Sequence, residues 1–177
     1  MKTCALVIGH KKNSPGAVNE HRNLSEFTFN EALAKEIESA VVGVHIQRVY
    51  RRTYSALPSD LNELEPDFIL SLHCNAFNKT ASGTEVLYYH RSALGRQMAD
   101  ILQAHLVHAL GLPNRGIKPK NSEDRGGYLL QKTNAPCLIA EPFFIDNDHD
   151  LEIAFTSYAA LIEAYARAIE QMAELVD

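Results

Sequence analysis

Residues 67–74 read DFILSLHC, an apolar segment that has a polar residue, His73, close to its end. Residues 4–9 read CALVIG, and this second apolar segment is followed directly by His10 and a polar stretch. Continuous apolar runs of this kind are typical of strands that are buried on both faces of a parallel sheet. The two segments therefore predict two central strands, each with a histidine at its carboxyl end.

Helices are predicted between the strands, where apolar residues recur at helical spacing. The clearest helix covers residues 24–42 and stops at Gly43. Further helices are predicted at 58–65, 92–110 and 148–175, further strands at 44–50, 84–89, 128–132 and 137–144, and a long polar loop at 113–127. Because strands alternate with helices, the fold class is α/β. We expect a single domain over residues 1–177, with a mainly parallel or mixed twisted sheet flanked by helices.

The composition argues against several classes of function. The chain has 177 residues, with 17 Lys and Arg against 22 Asp and Glu, and a formal net charge of −5. Because the basic residues form no long cluster, neither nucleic acid nor an anionic membrane is an expected partner. A chain of this size can build its own hydrophobic core without a metal. Any metal is therefore predicted to serve function first.

The N-terminal sequence and the cysteines indicate the compartment of synthesis. The segment MKTCALVIGHKK has too short an apolar run for a signal peptide or a membrane span. We therefore expect synthesis in the cytoplasm without a signal peptide. The three cysteines lie far apart in apolar segments and are predicted to be reduced core thiols.

Three ionisable residues lie at or within the apolar strand segments: His10, His73 and Glu141. Ligands of open α/β sheets bind at the carboxyl ends of the strands, so the predicted position of these side chains is that of a site. Two imidazoles and a carboxylate form a zinc-type donor set. The alternative for each histidine is a hydrogen bond that caps a loop. The alternative for Glu141 is a salt bridge to an arginine; the candidates are Arg51, Arg115 and Arg125.

Four motifs follow one another along nearly the whole chain. They are GH at 9–10 with SPGA at 14–17, EFTFN at 26–30, SLHCNA at 71–76 with GTEVLYY at 83–89, and NRGIK at 114–118 with AEPFFIDN at 140–147. In this order they resemble the zinc-dependent N-acetylmuramoyl-L-alanine amidases of the type 3 family, which include bacterial wall hydrolases and phage endolysins. The segment around His73 is the most specific part of the resemblance.

The resemblance implies a role for particular residues. His10, Glu26 and His73 correspond to the zinc ligands, at the carboxyl ends of the strands, and Glu141 to the catalytic glutamate. The implied substrate is peptidoglycan, cut at the amide between N-acetylmuramic acid and L-alanine. Glu141 would take a proton from water and pass it to the departing amine. Arg115 and Asn75 are predicted to bind substrate, with a salt bridge and a loop turn as their structural alternatives.

Two glutamates compete for the place of the third ligand, Glu20 and Glu26. The family pattern has an asparagine four residues after the ligand and then a helix rich in alanine and leucine, which Asn30 and the residues after it match for Glu26. We therefore predict Glu26. The structural alternative is a helix cap formed by Asn23 and Glu26.

Two other functions are compatible with the same residues. One is a zinc peptidase that acts on free peptides, and the other is a catalytically inactive peptidoglycan-binding module. The presence of all three ligands and of Glu141 favours an active enzyme over the inactive module. An enzyme without a signal peptide would reach the cell wall as a phage lysin, or would act in the cytoplasm on recycled wall fragments. No oligomeric state is predicted.

Overall fold

A six-stranded sheet forms the centre of the protein in the computed structural model, which describes residues 1–176. The strands in chain order are β1 Lys2–Ile8, β2 Val18–Asn19, β3 Leu24–Ser25, β4 Val44–Tyr50, β5 Phe68–Leu72, β6 Thr84–Tyr89, β7 Asn114–Lys120 and β8 Cys137–Glu141. The order in the sheet is β4-β1-β5-β8-β6-β7, and β2 pairs with β3 in a separate hairpin. All neighbours in the large sheet are parallel except β6 and β8, which are antiparallel. The predicted α/β fold with a mixed sheet is confirmed.

Helices cover the two faces of the sheet unequally. They are α1 Glu26–Ala40, α2 Leu57–Glu63, α3 Ala93–Leu110, α4 Gly127–Lys132, α5 Asp148–Thr156 and α6 Tyr158–Glu174. The larger core lies between one sheet face and α1, α3, α5 and α6, whereas the smaller core lies between the other face and the two short helices, α2 and α4. Since side chains alternate along a strand, Leu70 faces the larger core and Ile69 the smaller one. None of the helices within residues 1–176 has the length and apolar character that a membrane span needs.

Three sequence predictions about secondary structure are wrong. The stretch 113–127 contains the edge strand β7, whose lysines and proline hid its strand character and are typical of sheet edges. Residues 128–132 form part of helix α4 instead of a strand. Leu129 and Leu130 are both buried in the smaller core, which a helix allows and a strand, with its alternating side chains, does not.

The third error concerns the C-terminal helix. It was predicted as one helix over 148–175, but it is broken at Ser157, which ends α5 and begins α6. Both parts bury apolar side chains in the larger core, so the apolar pattern continues through the break and does not mark it.

The prediction of reduced core cysteines is confirmed. Cys4, Cys74 and Cys137 are free and buried. Burial raises the pKa of the Cys137 thiol to about 12, so the thiol stays protonated at neutral pH.

Candidate functional site

Three side chains from distant parts of the chain converge at the carboxyl ends of the central strands. His10 follows β1, His73 follows β5, and Glu26 is the first residue of α1. One oxygen of Glu26, Oε1, lies 2.8 Å from His73 Nδ1, and the other, Oε2, lies 3.1 Å from His10 Nε2. The structure therefore brings together the three residues that the sequence predicted as metal ligands.

Backbone groups fix the carboxylate of Glu26. It is 1% exposed, and its two oxygens accept hydrogen bonds from Cys74 N at 3.0 Å and Ala17 N at 3.2 Å. Burial by itself would raise the pKa of Glu26, but the contacts with His10 and His73 outweigh it and hold the pKa well below its usual range. Glu26 is therefore ionised at neutral pH, which is the form that binds a cation.

Helix α1 begins at Glu26 because Ser25 caps it. The Ser25 side chain accepts a hydrogen bond from Thr28 N at 3.1 Å. The alternative cap by Asn23 and Glu26 is therefore not formed, and the side chain of Glu26 is free to turn toward the histidines.

Two glycines allow the cluster to pack this closely. A Cβ on Gly16 would lie 2.6 Å from Glu26 Oε2 and 2.6 Å from His10 Cδ2, and Gly16 has a φ of +79°. A Cβ on Gly9 would lie 2.7 Å from His73 Cε1. Only glycine fits at both positions without displacing a candidate ligand. His10 itself has a φ of 66°, which is uncommon for a residue with a side chain.

The donor set fits a zinc ion. His10 Nε2 is buried and has no hydrogen-bond partner, although it points toward Glu26. Ligand atoms about 2.05 Å from a tetrahedral zinc are roughly 3.3 Å apart. The contacts of 2.8 and 3.1 Å are similar in length, but they join the two histidines to different oxygens of Glu26. Two imidazole nitrogens and one carboxylate oxygen match a catalytic zinc site, which has three protein ligands. The three donor atoms lie within 4.8 Å of one another.

Glu141 lies beside this cluster at the end of β8. Leu72 and Ala140 are partners in the parallel pair of β5 and β8, so His73 and Glu141 follow them side by side. Glu141 is 5% exposed. Burial raises its pKa, and the neighbouring charges of His73 and Arg125 only partly oppose this. Within residues 1–176 no arginine lies within 4.0 Å of its carboxylate, so the alternative salt bridge is not formed.

Arg115 and Asn75 both form hydrogen bonds with Glu85, a residue that the sequence analysis did not identify. Arg115 Nε donates to Glu85 Oε2 at 3.0 Å, and Asn75 Nδ2 donates to Glu85 Oε1 at 2.8 Å. Glu85 pairs with Glu141 across β6 and β8, so the two carboxylates share one face of the sheet. The structural alternative for Arg115, a salt bridge, is thus present. Its predicted contact with substrate, like that of Asn75, stays a prediction.

Glu20 lies away from the candidate metal site. Its side chain is 76% exposed and accepts a hydrogen bond from Lys79 Nζ at 3.0 Å. Of the two glutamates, it is Glu26 that completes a donor set with His10 and His73.

A cleft of about 320 Å³ opens beside the cluster, on the face covered by α2 and α4. We call it the α2–α4 cleft: Val7, Leu87 and Ile139 of the sheet line its floor, and Leu57 and Leu129 line its helical walls. His10, His73 and Glu141 line it as well. The side chains of His10 and His73 are 21% and 17% exposed, so a substrate in the cleft can reach them.

The family profile described as N-acetylmuramoyl-L-alanine amidase (Amidase_3) matches residues 4–171. The chain belongs to this amidase family. Among curated relatives, it is 33% identical over 92 residues to an uncharacterized cell wall amidase of Bacillus anthracis, covering 48% of this chain and 16% of that protein. It is 25% identical to the N-acetylmuramoyl-L-alanine amidase LytC of Bacillus subtilis, covering 84% of this chain and 30% of that protein. The amidase-family chain thus spans less than a third of the length of each of these relatives.

Solved structures of two catalytic domains have the same fold. The catalytic domain of CwlV, an N-acetylmuramoyl-L-alanine amidase from Bacillus (Paenibacillus) polymyxa var. colistinus, superimposes with a TM-score of 0.85 at 21% identity, covering 99% of both chains. The catalytic domain of the CD27L endolysin, which targets Clostridia difficile, gives a TM-score of 0.80 at 24% identity over 97% of both chains. At 21% and 24% identity, the similarity shows that these domains and the amidase-family chain share a fold.

Proposed function

We propose that the protein is a zinc-dependent hydrolase that cleaves the amide between N-acetylmuramic acid and L-alanine in peptidoglycan. Membership of the amidase family supports the reaction. The observation that carries the proposal is the Glu26 carboxylate between His10 and His73, with the buried Glu141 beside them. This combination supplies a metal site and a proton carrier on one edge of the sheet.

His10, Glu26 and His73 would hold the zinc. When bound, zinc supplies Lewis acidity that polarises a carbonyl oxygen and lowers the pKa of water. The negative charge of Glu26 balances part of the charge of the cation, and its two backbone hydrogen bonds keep it in place. Because all three side chains are fixed by strand ends and a helix start, the site is largely preorganised.

Glu141 would carry the proton in both halves of the reaction. As a carboxylate it accepts a proton from the attacking water, and as a carboxylic acid it donates that proton to the nitrogen of the departing alanine. The second transfer is needed because the amine leaves as a neutral group. Burial raises the pKa of Glu141, which brings it closer to neutral pH, where one group can both accept and release a proton.

The bond that is cut distinguishes this proposal from other wall hydrolases and from the peptidase alternative. Cleavage at the predicted amide exposes one new amine, on alanine, and no new reducing end of a sugar. Digested peptidoglycan labelled at its new amino termini should therefore yield dinitrophenyl-alanine with unchanged reducing sugars. A chelator should stop the release and added zinc should restore it. A different labelled residue, or a rise in reducing sugars, would contradict the proposed bond.

Glu141→Gln separates metal binding from proton transfer. The variant keeps the volume of the side chain but cannot carry the proton, so turnover should fall by roughly 100-fold or more. Its zinc content should equal that of the wild type. Loss of zinc would make Glu141 a ligand, and near-normal turnover would leave it only a structural role.

A further inference from the structure

The α2–α4 cleft has two cations at its rim that lack acidic partners. Arg51 follows β4, and Arg125 lies in the turn before α4; both line the cleft. Within the described residues 1–176, neither guanidinium has a carboxylate within 4.0 Å. The neighbouring Arg52 behaves differently, since its guanidinium donates two hydrogen bonds to Asp60.

Arg51 and Arg125 lie near different members of the candidate active site. Arg51 Nη2 is 3.4 Å from His10 Nδ1, and its guanidinium is 5.6 Å from the centre of the Tyr54 ring. Arg125 is close enough to Glu141 for its charge to lower the pKa of that carboxyl. A bound group that reaches both arginines would therefore lie next to both the metal ligands and the proton carrier.

Arg51 is half-buried and has no carboxylate within 4.0 Å in residues 1–176, so the charge of Glu26 acts on it only from a greater distance. A guanidinium that is partly removed from water loses solvation, and here no carboxylate within 4.0 Å replaces that solvation. Such a charge is favourable in a binding site, where the ligand brings the missing anion. The planar guanidinium also matches the geometry of a carboxylate.

One polar side chain lies beneath the apolar floor of the cleft. Ser71 is fully buried and lines the cleft, yet its hydroxyl has no hydrogen-bond partner. It lies between Val7 and Ile139, its partners in the neighbouring strands. A buried hydroxyl without a partner is unfavourable unless a ligand or water bonds to it. Because Ser71 is 0% exposed, its hydroxyl does not reach a ligand in the cleft, and the floor that a ligand meets is apolar.

The walls of the cleft are held in place before any ligand binds. Tyr128 of α4 donates a hydrogen bond to Ser55 O at 2.9 Å, and its ring lies 5.7 Å from that of Tyr54. These contacts join α4 to the segment that precedes α2. Because the cleft is already formed, binding does not need to order its two sides.

Asp124 and Glu141 also line the cleft, but the apolar walls and the two guanidiniums without a carboxylate within 4.0 Å match a short acidic peptide better than a neutral sugar. An alanine methyl group fits the apolar floor, and a carboxylate a few bonds further on fits the arginines. The peptide side of the scissile amide also carries the charge, whereas an N-acetylated glycan chain is largely uncharged. The same residues therefore favour the leaving peptide over the glycan as the occupant.

We propose that the α2–α4 cleft binds the leaving stem peptide and that Arg51 and Arg125 together recognise the carboxylate nearest to its N-terminal alanine. This inference rests on the proposed amidase function. The second residue of the stem peptide carries either a free α-carboxylate or a carboxamide. Because of the two arginines, we expect the enzyme to cleave substrates with the carboxylate in preference to those with the carboxamide.

The test uses two disaccharide tetrapeptides that differ only in this group, carboxylate against carboxamide. With zinc-loaded wild-type protein, kcat/KM should be about 10- to 100-fold higher for the carboxylate, the range that a charge-assisted hydrogen bond provides. Arg51→Gln and Arg125→Gln should each reduce this preference, mainly by lowering kcat/KM for the carboxylate. The matched control is Arg52→Gln, which removes an adjacent positive charge that is already paired with Asp60 and should leave the preference unchanged.

Several results would overturn the inference. Equal cleavage of the two substrates by the wild type would do so while leaving the amidase function intact. If an arginine variant lowered kcat/KM equally for both substrates, that arginine would serve the reacting atoms and not the peptide carboxylate. If the wild type freed no N-terminal alanine from either substrate or from intact sacculi, the proposed function itself would be wrong. Circular dichroism and zinc content would show that each variant is folded and metal-loaded.

Discussion

The two buried glutamates of the site should respond in opposite directions to the same substitution. Glu26 is held by four hydrogen-bonding or ionic contacts, and its pKa is depressed, whereas Glu141 makes no hydrogen bond or salt bridge within residues 1–176 and its pKa is raised. A change to glutamine removes the charge and keeps the shape. We therefore expect Glu26→Gln to destabilise the metal-free protein and Glu141→Gln to stabilise it or leave it unchanged.

The magnitude for Glu26→Gln follows from its contacts. The amide has one oxygen, so one of the two backbone N–H groups, of Ala17 or Cys74, would face an NH₂ group. A buried donor left without an acceptor costs about 1–3 kcal/mol, and loss of the charge weakens the remaining bond by about 1 kcal/mol. The sum, about 2–4 kcal/mol, lowers the melting temperature of a chain of this length by roughly 4–15 °C.

The dependence of stability on pH should also have opposite signs for the two glutamates. Because the pKa of Glu26 is lowered from its usual value of 4.5, its contribution to stability is present above that pH and is lost as the pH falls below it. The loss of stability in Glu26→Gln, relative to the wild type, should therefore become smaller in acid. The pKa of Glu141 is raised from 4.5, so folding with this group becomes less favourable as the pH rises above that value. The gain in stability of Glu141→Gln over the wild type should therefore increase with pH.

Calorimetric melting in a chelating buffer from about pH 2 to pH 8 measures both effects, because the loss at Glu26 occurs below its usual pKa. Glu20→Gln is the matched control, because Glu20 is exposed and paired only with Lys79, and its melting temperature should match that of the wild type. Equal melting temperatures for Glu26→Gln and the wild type at pH 7 would refute the reasoning that hydrogen bonds outweigh burial at Glu26. A large loss of stability in Glu141→Gln would show that its carboxylate has an ionic partner in the folded protein.

Three further predictions concern the metal, one glycine and the thiols. Alanine in place of any of the three candidate ligands should remove most of the zinc measured by atomic emission. Glu20→Ala should keep about one zinc per chain. If Glu20→Ala lost zinc and Glu26→Ala kept it, Glu20 would be the ligand. Gly16→Ala should weaken zinc binding at least tenfold in a competition titration with a chelator, because its Cβ would lie 2.6 Å from Glu26 Oε2 and φ is +79°. Wild-type affinity in that variant would show that the loop relaxes freely. The three buried thiols should react with a thiol reagent only after unfolding and should then number three, so a count of one would reveal a disulfide.

The sequence by itself determined the sheet and the position of its functional edge. Continuous apolar runs identify the central strands because burial on both faces leaves no place for polar side chains, so His10, His73 and Glu141 stand out at or near the strand ends. Glu26 was different. The residues around Glu26 and Glu20 do not by themselves show which of the two is the third ligand. The prediction of Glu26 depended on the family resemblance and not on the chemistry of the two residues.

Only the tertiary structure decided which of these groups meet and which remain unpaired. The convergence of Glu26 with the two histidines depends on how α1 packs against the strand ends, which is a long-range property that no local pattern contains. The same is true of Arg115, which forms a salt bridge with Glu85, and of Arg51 and Arg125, which have no carboxylate within 4.0 Å in residues 1–176. Arginines look alike in a sequence, and the distance to the nearest carboxylate, set by strand register and helix packing, determines whether each one is available to a ligand.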